Sequence, residues 1–126
     1  ANAYGLEWGN SLTAGLRTDT AATNGTSIDG LASSAFGLQA YLQVTAFTGT
    51  DVTVTVQDSA DNVTFADVSG LTFAQTTAAP TTQRIATAAL GTLRRYLRAA
   101  TVTTGGVTSV TFAVTVVKNQ NAQVIF

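Results

Sequence analysis

The chain contains no cysteine, no histidine and no methionine, has a single proline, and carries only 10% charged residues in 126. Each scarcity excludes something. Without cysteine there is no disulfide framework and no thiolate chemistry. Without histidine as well, the usual zinc, haem and copper ligand sets fall away, and so do histidine-dependent triads. The charged share is far below the roughly 25% of an ordinary globular domain, too low for disorder driven by self-repulsion. A net charge of −1 supplies no bulk attraction for nucleic acid. No basic segment leads into an apolar one, as a signal peptide requires. Apolar runs last a few residues, against the ~20 that span a bilayer, so a soluble chain with no membrane partner is expected. The start at Ala1-Asn2-Ala3, without methionine, fits a processed chain or a piece of a longer one. These exclusions point away from an enzyme and toward a structural or binding module.

What is abundant is threonine, 24 residues of it, within a chain that is 45% hydrophobic. The length fits one domain, able to bury roughly 65% of its unfolded surface. Threonine and valine are branched at Cβ, which restricts rotamers in a helix and suits a pleated sheet. They alternate. In Asp51 to Asp58, Val52, Val54 and Val56 face one way, and Thr53, Thr55 and Gln57 the other. Val107 to Lys118 repeats the pattern, with Val110, Phe112, Val114 and Val116 opposite Thr111, Ala113 and Thr115. Leu38 to Phe47 sets Leu42, Val44 and Ala46 against Tyr41, Gln43 and Thr45, and Tyr96 to Thr103 is a fourth strand. This period of two predicts sheets with one wet face. Shorter candidates are Tyr4 to Leu12, Val63 to Phe65, Leu71 to Ala74, Gln83 to Thr87 and Gln123 to Phe126.

Turn chemistry separates these runs. Thr48-Gly49-Thr50, Ser59-Ala60-Asp61-Asn62 and Gly105-Gly106 read as hairpin turns, and Ala79-Pro80 as a turning or extended segment. Thr87 to Arg98 has helically spaced Ala88, Ala89, Leu90, Leu93 and Leu97. Gly91 weakens such a helix by roughly 1 kcal/mol relative to Ala, and a turn followed by a strand is the preferred reading, because Tyr96-Leu97-Arg98 flows into the β-branched Thr101-Val102-Thr103. Arg17 to Ser34 is rich in Thr, Ala, Ser, Asp and Gly and reads as an extended arm or linker. The expected fold is all-β, an antiparallel β-sandwich of jelly-roll-like or immunoglobulin-like type with an extended N-terminal arm. Residues 1–35 form the N-terminal strand and arm, and residues 36–126 the sandwich.

Few residues suggest chemistry. Arg94, Arg95 and Arg98 hold half the positive charge. On a strand, Arg94 and Arg98 share a face with Tyr96 between them, an arrangement that can grip phosphate or stack on a base. Three arginines give weak nucleic-acid affinity, so a solvated face or an intersubunit contact is preferred. Asp58, Asp61, Asn62 and Asp67 surround one turn and are oxygen ligands of the kind calcium uses. They lack the EF-hand order of ligands, and Asp and Asn also cap turns; no metal and no cofactor are expected. Trp8, in Gly5-Leu6-Glu7-Trp8-Gly9, could anchor an interface, stack on a sugar or plug a core. The apolar end Val124-Ile125-Phe126 must dock somewhere. Asn24-Gly25-Thr26 and Asn62-Val63-Thr64 match the glycosylation sequon, a motif short enough to recur by chance. No nucleophile elbow, phosphate loop or dinucleotide fingerprint occurs.

From Phe36 onward, "AYLQVTAFTGTDVTVTVQDSADNVTFADV" and "RRYLRAATVTTGGVTSVTFAVTVVKN" resemble a β-sandwich domain of tailed-bacteriophage virion proteins. The N-terminal "YGLEWGNSLTAGLRTDTAATNGTSID" resembles the segment that leads into it from a tail-tube-like domain. The resemblance implies a structural role, with no catalytic residues: a domain that decorates or forms part of the tail, or alternatively a capsid decoration protein. It implies homo-oligomers, other virion proteins as partners, and a virion assembled in host cytoplasm. Interface residues are then expected at Trp8, Arg94, Arg95, Tyr96, Arg98 and Phe126. A carbohydrate-binding module aiding adsorption to a bacterial surface glycan, resting on Trp8, Tyr41 and Tyr96, is the competing reading.

Overall fold

The computed structural model describes residues 9–30, 33–88 and 90–118. These form nine strands and no helix: β1 (Gly9–Ser11), β2 (Arg17–Asp19), β3 (Ile28–Asp29), β4 (Leu38–Gly49), β5 (Thr53–Ser59), β6 (Ala66–Thr72), β7 (Thr81–Ala86), β8 (Tyr96–Val102) and β9 (Val107–Lys118). Two antiparallel sheets pack together. In one, β4 lies between β9 and β7, and both β1 and β2 run along the far edge of β9. The other has the order β3-β8-β5-β6.

The four strongly alternating runs are the four central strands. Val54 and Val56 of β5, Leu97 and Ala99 of β8, Leu38, Leu42 and Val44 of β4, and Val110, Phe112, Val114 and Val116 of β9 form one buried cluster between the sheets. Each fully buried Val, Leu or Phe side chain contributes roughly 1.5–3 kcal/mol. Two facings differ from the alternation. A bulge between Val44 and Ala46 shifts the register of β4, so Ala46 turns outward and Phe47 packs on the core in its place. Thr55 is buried rather than wet, because β6 covers it and its hydroxyl reaches Thr72 Oγ1 at 3.1 Å. Of the shorter candidates, Val63 to Phe65 lies in the β5–β6 loop and not on a strand. Gln83 to Thr87 falls largely on β7. Gln123 to Phe126 lies outside the described residues.

Two of the three expected hairpins are crossovers between sheets. Ser59 to Asn62 does lie in the loop joining β5 to its antiparallel partner β6. Thr48-Gly49-Thr50, however, leads from β4 in one sheet to β5 in the other, and Gly105-Gly106 leads from β8 to β9. The physical reason is that the two crossovers dock on each other. Gly106 O accepts from Thr50 N at 2.8 Å and from Asp51 N at 3.3 Å. A Cβ at Gly49 would lie 2.8 Å from Val107 Cα, so only glycine allows the approach. Asp51 completes the tie: its carboxylate accepts from Thr104 N at 2.9 Å and from Gly105 N at 2.6 Å.

The described residues 9–30 and 33–34 form a clip over one side of the sandwich. The first leg follows β9 from Gly9 opposite Val117 to Asp19 opposite Val110. The chain then crosses to the other sheet. The second leg follows β8 back, with Thr23 pairing Thr101, Gly25 N donating to Ala99 O, Ile28 opposite Leu97, Gly30 N donating to Arg95 O, and Ser34 pairing Leu93. The clip therefore covers edges of both sheets, a device that hides unpaired main-chain groups. The opposite side of the sandwich ends on β6 and β7.

Candidate assembly surfaces

The clip is stapled to both sheets by one polar cluster. Arg17 and Asp19 are two apart on an extended segment, so their side chains share a face. Arg17 Nε and Nη2 donate to the Asp19 carboxylate at 2.8 and 2.6 Å. Arg17 Nη1 donates to Ala99 O at 3.0 Å, and Asp19 Oδ2 accepts from Thr101 Oγ1 at 2.7 Å. Both acceptor and donor lie on β8, so a pair rooted in one sheet is bound to the other. The guanidinium also sits 4.9 Å from the centre of the Phe112 ring. Asp19 is only 4% exposed. Sequence reading passed over this pair; the Arg-x-Asp spacing on an extended run was its signal.

The expected arginine cluster is dispersed. Arg94 precedes β8 and does not share its face with Arg98, because Asp58 captures it. Asp58 accepts from Arg94 N at 2.9 Å, from Nε at 2.9 Å and from Nη2 at 2.6 Å. These bonds, the Asp58 side chain foremost, hold the Arg94 guanidinium above its ordinary value. Arg95 makes a paired contact with the Asp29 carboxylate at 2.7 and 2.8 Å and lies over the Tyr96 ring at 5.1 Å. Arg98 donates to Gln57 Oε1 at 2.8 Å and lies 4.0 Å from the centre of the Phe65 ring. Tyr96 and Arg98 do share the outer face of β8, since Leu97 and Ala99 are buried. Trp8 and Phe126 lie outside the described residues.

The acidic group around the β5–β6 turn is likewise separated. Asp58 is taken by Arg94, and Asp67 accepts from Gln57 Nε2 at 2.8 Å. Asp61 serves its own loop: its Oδ1 accepts from Thr64 N and Val63 N, both at 2.9 Å, and from Ser59 Oγ at 2.9 Å. The bonds from Thr64 and Val63 lower its carboxyl to about 2. Asn62 follows in the left-handed region, φ 62°, and its side chain meets Ser27 of the clip. Among the described residues no three Asp, Glu, His or Cys side chains are placed to hold a metal ion.

The outer face of the β4 sheet is nearly uncharged. Tyr41, Gln43, Thr82 and Arg84 line a shallow groove there of about 230 Å³. Arg84 is held by Gln39 Oε1 at 2.9 Å and lies over the Tyr41 ring at 5.9 Å. Tyr41 and Tyr96 occupy different sheets, so they form no common sugar platform. Exposed apolar side chains stand elsewhere: Val63, 81% exposed at the tip of the β5–β6 loop, Leu90 at 59%, and Val102 at the end of β8. Compared with known proteins, the chain matches no family model and no curated protein sequence.

Proposed function

We propose that the chain is a structural module of a tailed-bacteriophage virion, a β-sandwich of jelly-roll-like or immunoglobulin-like type that forms or decorates part of the tail and joins subunits together. The observation that carries this reading is the asymmetry of the sandwich. One side is covered by the clip, while β6 and β7 end their sheets on the other. A terminal strand offers main-chain groups to a further strand, and symmetric oligomers form by pairing such surfaces between copies. The rest agrees with an assembling part. The arginines Arg17, Arg94 and Arg95 are each bound to a carboxylate of the same chain, which leaves a surface of threonine and amides with little charge to repel a neighbour. The sequence resemblance supplies the virion context, and decoration of a capsid is served by the same geometry.

Light scattering on the full chain across a concentration series tests the reading. Growth in mass with concentration, together with co-sedimentation on phage tails or capsids, is expected. A strict monomer at every concentration that sediments with neither would overturn it. Binding to bacterial glycans by such a monomer would favour the adsorption module instead.

A further inference from the structure

The chain's sole Asn-Gly and sole Asp-Gly dipeptides, Asn24-Gly25 and Asp29-Gly30, both fall on the second leg of the clip. In such dipeptides the glycine nitrogen attacks the preceding side-chain carbonyl carbon readily, because no Cβ obstructs it. In this fold both nitrogens are engaged. Gly25 N donates to Ala99 O at 2.9 Å, and Gly30 N donates to Arg95 O at 2.8 Å. Packing demands the glycine at position 25: a Cβ there would lie 2.0 Å from Arg17 Nη1 and 2.6 Å from Ala99 O. Asn24 itself is exposed. The close approach of the clip to β8 thus creates a reactive dipeptide and, by the same ladder, restrains it.

We propose that Asn24 is a modification site, a deamidation latch that stays shut while the second leg is paired with β8 and reacts once the leg opens. In the open leg, Gly25 N loses its proton to solvent base and attacks Asn24 Cγ. The new N–Cγ bond closes a succinimide, the Cγ–Nδ2 bond breaks, and ammonia leaves. Water then adds to one of the imide carbonyls and opens the ring, giving aspartate or, with the main chain rerouted through Cγ, isoaspartate. Water is the only co-reactant, and nothing is oxidised or reduced. Isoaspartate lengthens the main chain by a methylene between Thr23 and Gly25. The leg then cannot restore the Thr23–Thr101 and Gly25–Ala99 pairings together, so an opening becomes permanent. Asp29-Gly30 reaches the same succinimide with loss of water, and its carboxylate is withheld by Arg95.

The full chain is aged in mildly alkaline buffer, folded and in urea, and mapped by peptide mass spectrometry. Conversion at Asn24 is expected to be at least about tenfold slower in the folded chain, because it must wait for local opening. Below the unfolding transition, sub-denaturing urea is expected to raise Asn24 conversion and hydrogen exchange of the Gly25 amide in parallel. The isoaspartyl species, separated from the unreacted chain by its added charge and from the isomeric aspartyl product by reversed-phase chromatography, is expected to exchange faster at Thr23, Gly25 and Thr101 with the β5–β6 ladder unchanged. Asn24→Gln is expected to abolish the species. Equal rates in folded and unfolded chain would overturn the proposal. So would earlier conversion at Asn10 or Asn62, or an isoaspartyl chain whose second leg keeps its protection.

Discussion

Thr76 Oγ1 is, among the described residues, the buried side-chain polar atom with no hydrogen-bond partner. A hydroxyl in that state costs its desolvation without return, and valine has nearly the same shape. Thr76→Val is therefore expected to stabilise the chain by about 1 kcal/mol in urea unfolding. Asp19 presents the opposite case, a buried carboxylate whose removal strands Arg17. Asp19→Asn is expected to lose about 3 kcal/mol, while Asp67→Asn, on an exposed pair with Gln57, stays within about 0.5 kcal/mol. Acid acts through the loop carboxylates. Asp61 is lowered to about 2 by the Thr64 and Val63 amides, and Asp51 is lowered chiefly by the Thr104 amide. An unfolded aspartate titrates near about 3.9. Their contribution is complete above that value and is lost as pH falls toward about 2 for Asp61. Asp61→Asn is expected to flatten the fall in unfolding midpoint over this range. Turn capping by Asp61 is a local role that the sequence supports, whereas the Asp58 role was hard to see in sequence, because its partner is set by which strands meet and Arg94 is far away along the chain.

At the level of elements, alternation carried most of the information. Val54 is buried in the core while Thr53 is only partly covered. Val54→Asp is expected to abolish the folded circular dichroism signal, because an unpaired buried charge costs several kcal/mol. Thr53→Asp is expected to retain the fold with a small drop in midpoint. Equal damage at both positions would mean the facing of β5 is wrong. The central strands were legible because a period of two reports facing directly. Their connections were not. A short Gly-containing turn between strong strands reads as a hairpin whether it returns in the same sheet or passes to the other. Only the docking of Thr50 and Asp51 on Gly106 distinguishes the two, and that is a long-range contact. The bulge at Thr45 escaped for the same reason: it depends on the register with β9.

At the level of the whole molecule, the least apolar part of the chain closes one side of the sandwich. Among the described residues of this segment, 9–30 and 33–34, only Leu12, Thr13 and Asp19 are fully buried, yet the backbone pairs repeatedly with β9 and with β8 and the residues before it. Composition alone suggested an arm, since a leg held by main-chain bonds needs little hydrophobic patterning. Deleting residues 1–33 is expected to lower the urea midpoint and promote aggregation, as both covered edges are bared. Assembly is proposed to proceed from the other side, through β6 and β7. The absence of cysteine makes that directly measurable by single-cysteine cross-linking. Under assembling, oxidising conditions, Ser69→Cys on β6 or Thr82→Cys on β7 is expected to form disulfide-linked dimers, and Ala22→Cys on the clip is not. Cross-linking at Ala22→Cys with none at the β6 and β7 positions would place assembly on the clip side instead and overturn the proposed arrangement.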